Sequence, residues 1–121
     1  MQIEFTVNAE NMHRACRGLD TNVENHPRPL NQSIVFKISG AGVQITSSEI
    51  CHAIAAKAQH RASVSVPTAV LDGVIRTLPY FGKKDIAIGF SRGRMRVDSM
   101  VFHNRRILLT EFHDGQRRSS C

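Results

Sequence analysis

Tryptophan is absent, tyrosine occurs once and phenylalanine six times. The core must therefore come from Ile, Val, Leu, Phe and Ala, and a base-stacking platform for nucleic acid is poorly supplied. Only ten acidic residues occur and they are scattered, with no paired-carboxylate motif for acid–base chemistry. No glycine-rich phosphate loop or nucleophile elbow is present either. The three cysteines, Cys16, Cys51 and Cys121, form an odd set without close spacing, which favours reduced thiols and a cytoplasmic setting. No stretch approaches the roughly 20 apolar residues that span a bilayer, and residues 1–7 do not read as a secretory signal; no membrane association is expected.

Two cysteine–histidine arrangements invite a functional reading. His13 and Cys16 are three apart, and Cys51 adjoins His52. Zinc wants four ligands in tight pairs, whereas Cys16 falls on an apolar stripe, where cysteine acts as a small hydrophobe. A Cys51 nucleophile would need His103 or His113 brought near it by the fold; His52 points to the opposite strand face. The sequence thus reads as non-enzymatic, with neither metal nor cofactor.

What is present is a basic chain of one-domain size. Its 121 residues (13.5 kDa) carry a formal net charge of +6, and this length suffices for a core without disulfides or metal. The charge is unevenly placed. Residues 1–60 hold five Lys/Arg against five Asp/Glu, and residues 61–121 hold eleven against five. A surplus of this kind favours an anionic partner, most commonly nucleic acid.

Periodicity yields a regular order of elements. Residues 2–7 alternate as a strand through Ile3, Phe5 and Val7, and Asn8 offers an N-cap to a helix over 9–19 built on Met12, Ala15, Cys16 and Leu19. Residues 20–32 form an irregular connection, followed by strands over 33–39, 43–48 and 50–58. A short strand over 62–66 leads through Pro67 into a helix carrying Leu71, Val74, Ile75 and Leu78, stopped by Pro79. Extended segments over 86–90, 94–98, 99–103 and 106–112 complete the domain. The expectation is an α+β domain over 1–113 with a flexible basic tail over 114–121, its two helices packed on one face of an antiparallel sheet. That sheet would come from two strand–helix–meander halves.

This order, carried by IEFTVNAENMHRACRGL, IVFKISGAGVQITSSE, SVSVPTAVLDGVIRTLP and DIAIGFSRGRMRV, resembles one subdomain of the bacterial DNA polymerase processivity (beta) sliding clamp family. The resemblance covers nearly all of residues 1–110. It implies a DNA-clamp-like fold, helices facing duplex DNA, and a replication or repair protein as a further partner. The family's protomer carries three such subdomains; a single one would need roughly six copies joined head to tail to make a ring.

On helical geometry the faces opposite the apolar stripes carry Arg14 and Arg17, flanked by Asn11 and His13, and Ala69, Gly73 and Arg76. Arg14, Arg17 and Arg76, with Asn11 and His13, are the candidate contacts to duplex phosphates, and the small Ala69 and Gly73 would let a backbone approach closely. Arg92, Arg94 and Arg96 alternate, so one strand would place all three on one sheet face, and Arg105 and Arg106 follow. They form a candidate second basic patch on the face a clamp turns outward. Two functions stay open: a self-assembling module that holds duplex DNA without sequence specificity, and a clamp-fold adaptor that binds protein with no DNA contact.

Overall fold

The computed structural model describes residues 2–20, 33–40, 42–47 and 50–111. The tail expected over 114–121 lies outside these residues, as does the connection over 21–32.

The chain begins with β1 (Gln2–Asn8), whose Ile3, Phe5 and Val7 are buried while Gln2, Glu4 and Thr6 are exposed. Helix α1 (Ala9–Asp20) follows at once. Asn8 caps it: its Oδ1 accepts from the Asn11 backbone N–H at 3.0 Å, and its Nδ2 donates to the Lys83 carbonyl at 2.8 Å. One amide side chain thus starts the helix and ties it to a distant loop. Strands β2 (Ser33–Ser39), β3 (Gly42–Ser47) and β4 (Ile50–Ile54) form an antiparallel meander. Beyond Ala55 the chain continues as β5 (Ala56–Ala58).

The second half repeats the plan. Strand β6 (Ala62–Pro67) runs into helix α2 (Thr68–Thr77), and β7 (Asp85–Ser91), β8 (Arg94–Val97) and β9 (Met100–His103) form the second meander. Strand β10 (Leu108–Glu111) closes the order. Pro67 is the last strand residue, with φ −62° and ψ 147°, one position before the helix rather than its first residue. Pro79 does not stop the winding. It lies in a 3-10 turn over Leu78–Phe81 that continues directly from α2, because a proline near the start of a helical turn has no N–H to leave unpaired.

Among the described residues the fold is α+β with two α-helices, but the strands divide between two antiparallel sheets instead of the single sheet expected. Their orders are β5-β1-β7-β8-β9 and β10-β6-β2-β3-β4. The division follows from an exchange of leading strands. β1, from the first half, pairs with β7 of the second meander, and β6, from the second half, pairs with β2 of the first. Neither half completes a sheet alone, so the halves fold as one unit. The segment over 50–58 is likewise two strands, since Ala55 carries the chain from the edge of one sheet to the edge of the other. At the opposite side, the loop 104–107 carries it from edge strand β9 to edge strand β10.

Both sheets turn apolar side chains into one core. Phe36 of β2 meets Phe90 of β7 with ring centroids 5.3 Å apart, and Phe5 of β1 lies 6.1 Å from Phe90. The helices contact each other, with α1 packed on edge strand β4 and α2 on β6 and β2. A Cβ on Gly18 of α1 would come within 2.5 Å of the His52 ring on β4, and one on Gly73 of α2 within 2.9 Å of the Phe102 ring on β9. Glycine is what admits a ring from an edge strand against each helix. No helix among the described residues is long and apolar enough to cross a membrane.

Candidate nucleic-acid interface

Helix α1 exposes Glu10, Asn11, Arg14 and Arg17, with His13 half-buried. Met12, Ala15 and Cys16 occupy its buried side. Arg14 Nη2 stands 3.7 Å from Glu10 Oε1, one helical turn earlier. Arg14 and Arg17 both border a shallow surface depression of about 400 Å³ with Glu10, His13 and Gly18. Helix α2 exposes Ala69, Asp72 and Arg76. Gly73 is not open for a backbone to approach, because the Phe102 ring covers it.

The helix layer therefore brings Arg14, Arg17 and Arg76 onto two touching helices, accompanied by two carboxylates. The net charge of these five side chains is only +1 (three arginines less Glu10 and Asp72). Glu10 and Asp72 were readable from the sequence, each four residues before an arginine; attention to the basic residues alone passes over them.

The second patch is more concentrated. Arg94 and Arg96 share the outer face of the first sheet, with Val101 and His103 opposite them on β9. Arg92 is not on that strand. Ser91 pairs with Arg94, so Arg92 and Gly93 are the two-residue turn of the β7–β8 hairpin, with Gly93 at φ +75°. This turn is tied to the loop 104–107. The Gly93 N–H donates to the Ile107 carbonyl at 3.1 Å, and the Asn104 N–H donates to the Gly93 carbonyl at 3.0 Å. Asn104 Oδ1 also accepts from the Arg106 N–H at 2.9 Å. The position a Gly93 Cβ would take lies 3.9 Å from the Arg105 Cα. Arg92, Arg94, Arg105 and Arg106, all exposed, are thus gathered at one corner, and none of the four forms an ion pair among the described residues.

Arg96 behaves differently. On the rung Glu4–Gly89–Arg96 its guanidinium crosses over Gly89 to pair with the Glu4 carboxylate. Gly89 makes room for this crossing: a Cβ there would meet Arg96 Nη2 at 3.3 Å. Arg96 Nε is shielded and has no hydrogen-bond partner.

Among the described residues the cysteines and histidines do not assemble into a reactive centre, and His113 and Cys121 lie outside them. Burial pushes the Cys16 thiol up to about 12, which keeps it protonated at neutral pH. Cys51 Sγ accepts from Thr46 Oγ1 at 3.6 Å while His52 packs against α1, so the neighbours occupy opposite strand faces. Cys51 is disulfide-bonded and does not titrate as a thiol. No cluster of three or more His, Cys, Asp or Glu suited to a metal ion occurs among the described residues.

A scan against protein-family models finds no match, and a search of curated proteins finds no relative. The fold and the surface chemistry are the grounds for a functional reading.

Proposed function

We propose that this domain is a non-enzymatic, DNA-clamp-like module that assembles head to tail and holds duplex DNA through its helix layer. The observation that carries the reading is the unlike character of the molecule's two sides. The side formed by β9 and β10 exposes Met100, Val101 and Leu108 at 46%, 44% and 51%. The side formed by β4 and β5 is a run of small residues, Ala53, Ala55, Ala56 and Ala58. An apolar edge seated on an alanine-rich edge is a heterologous contact, the kind that propagates into a ring or filament. Because the Phe102 ring of β9 packs against α2 and α1 is seated on β4, such a contact would bring the helices of successive copies to one side. Their arginines, Arg14, Arg17 and Arg76, would then line one surface and attract phosphates without reading sequence.

The weak net charge of the helix layer favours one second reading, a clamp-fold adaptor for another protein. Duplex binding measured across a salt series separates the two. Salt-sensitive binding that is lost on Arg14→Glu with Arg76→Glu supports the DNA reading. Absence of duplex binding at low salt supports the adaptor.

A further inference from the structure

The outer face of the first sheet carries charge that the helix layer does not use. Between Gln2, Ser91, Arg94, Arg96 and Val101 lies a recess of about 120 Å³ beside Gly89, whose own face is covered by the Arg96 guanidinium. Arg94 and Arg96 flank it. Arg96 is held across it by Glu4, with Nε unpartnered. From the recess the basic surface continues through Arg94 to the corner of Arg92, Arg105 and Arg106. In this patch five arginines face a single carboxylate, Glu4, and no lysine is included.

We propose that this stripe is a second binding site, for the phosphodiester backbone of a single nucleic-acid strand. Arginine presents a planar fork that engages a phosphate through two parallel hydrogen bonds. The path favours a flexible strand over a duplex. It runs from a recess on a sheet, along a strand and around a hairpin turn, whereas duplex DNA is stiff over about 50 nm and resists following a corner of this size. No Phe, Tyr or Trp is exposed along the stripe, and His103 is the one exposed ring beside it among the described residues, so recognition would be chiefly of backbone. The site is independent of the helix layer, and it borders the proposed assembly edge at Val101 and the loop 104–107.

The test is fluorescence anisotropy of a labelled single-stranded oligonucleotide across a salt series, with the full chain. Arg94→Glu combined with Arg105→Glu, both exposed positions, should weaken binding at least about tenfold at low salt. Two lost phosphate contacts should also flatten the log–log salt slope by about 1.4. Arg14→Glu with Arg76→Glu should leave strand binding unchanged, whatever it does to duplex binding. Unaltered circular dichroism would confirm that both variants remain folded. Undiminished strand binding in the Arg94/Arg105 variant overturns the proposal. So does displacement of the strand by polyglutamate at equal charge, which would mark an acidic-peptide site, or by duplex as readily as by the strand itself.

Discussion

Phe36 and Phe90, which lie on different sheets and come from different halves of the chain, meet at 5.3 Å between ring centroids. Both are fully buried. Their contact sits beside the strand exchange that makes each half depend on the other. Phe36→Ala should therefore lower unfolding free energy by about 3–5 kcal/mol, the range for a large buried aromatic. It should do so in a single transition, since neither half has a sheet of its own. Urea unfolding followed by circular dichroism and by tyrosine fluorescence checks this; separate midpoints for the two probes would contradict interdependent halves.

Glycine to alanine in a helix ordinarily stabilises by up to about 1 kcal/mol. At Gly73 the added Cβ meets the Phe102 ring at 2.9 Å, so Gly73→Ala should instead be destabilising. In Phe102→Ala, the same change should recover the ordinary gain. A double-mutant cycle by denaturant unfolding measures this coupling.

Asn8 is both the cap of α1 and a tie to the Lys83 carbonyl. Asn8→Ala should cost about 1–2 kcal/mol, at the upper part of the range for helix caps. Amide hydrogen exchange should show its loss at the first turn of α1. A change under about 0.3 kcal/mol would mean that neither bond contributes as described.

Cys16 gives a pH dependence of defined sign. In the unfolded chain its thiol ionises near the ordinary value of 9.0; in the folded protein burial delays ionisation to about 12. The folded state thus holds the proton more tightly. The associated stability is fully present below pH 9 and is lost as pH rises from 9 towards 12. Cys16→Ala should make the alkaline fall in stability shallower, and native Cys16 should resist alkylation until the protein unfolds.

Glu4 should restrain the proposed strand site by occupying Arg96. Half-exposed ion pairs contribute little, so Glu4→Gln should change stability by less than about 1 kcal/mol. It should nevertheless tighten single-strand binding by a few fold, because one negative charge leaves the stripe. Weaker binding in Glu4→Gln would mean that the pair instead positions Arg96 for its ligand.

Much of the local structure was legible because it rests on short-range periodicity. The alternation of Ile3, Phe5 and Val7, the cap at Asn8 and the helical spacing of Leu71, Val74 and Leu78 all reappear in the fold. The partition into two sheets was not legible. It depends on β1 passing over its own meander to pair with β7, and no local pattern records which distant strand is the partner. Ala55 shows the same limit, for nothing in an alanine-rich run marks where a strand changes sheets. The basic patch was readable as a set of arginines, but its geometry was not. Gathering Arg92 with Arg105 depends on backbone hydrogen bonds between a turn and a loop, and pairing Arg96 with Glu4 depends on the rung through Gly89.

Head-to-tail assembly is the step on which the proposed clamp-like function depends, since one domain of this size cannot surround a duplex. Light scattering coupled to size exclusion, across a range of loading concentrations, measures it directly. The expected result is a mass that rises with concentration above the 13.5 kDa of the single chain and returns to it in Val101→Arg with Leu108→Arg. A mass of one chain at every concentration, with and without duplex DNA, would contradict the assembly and with it the clamp-like reading.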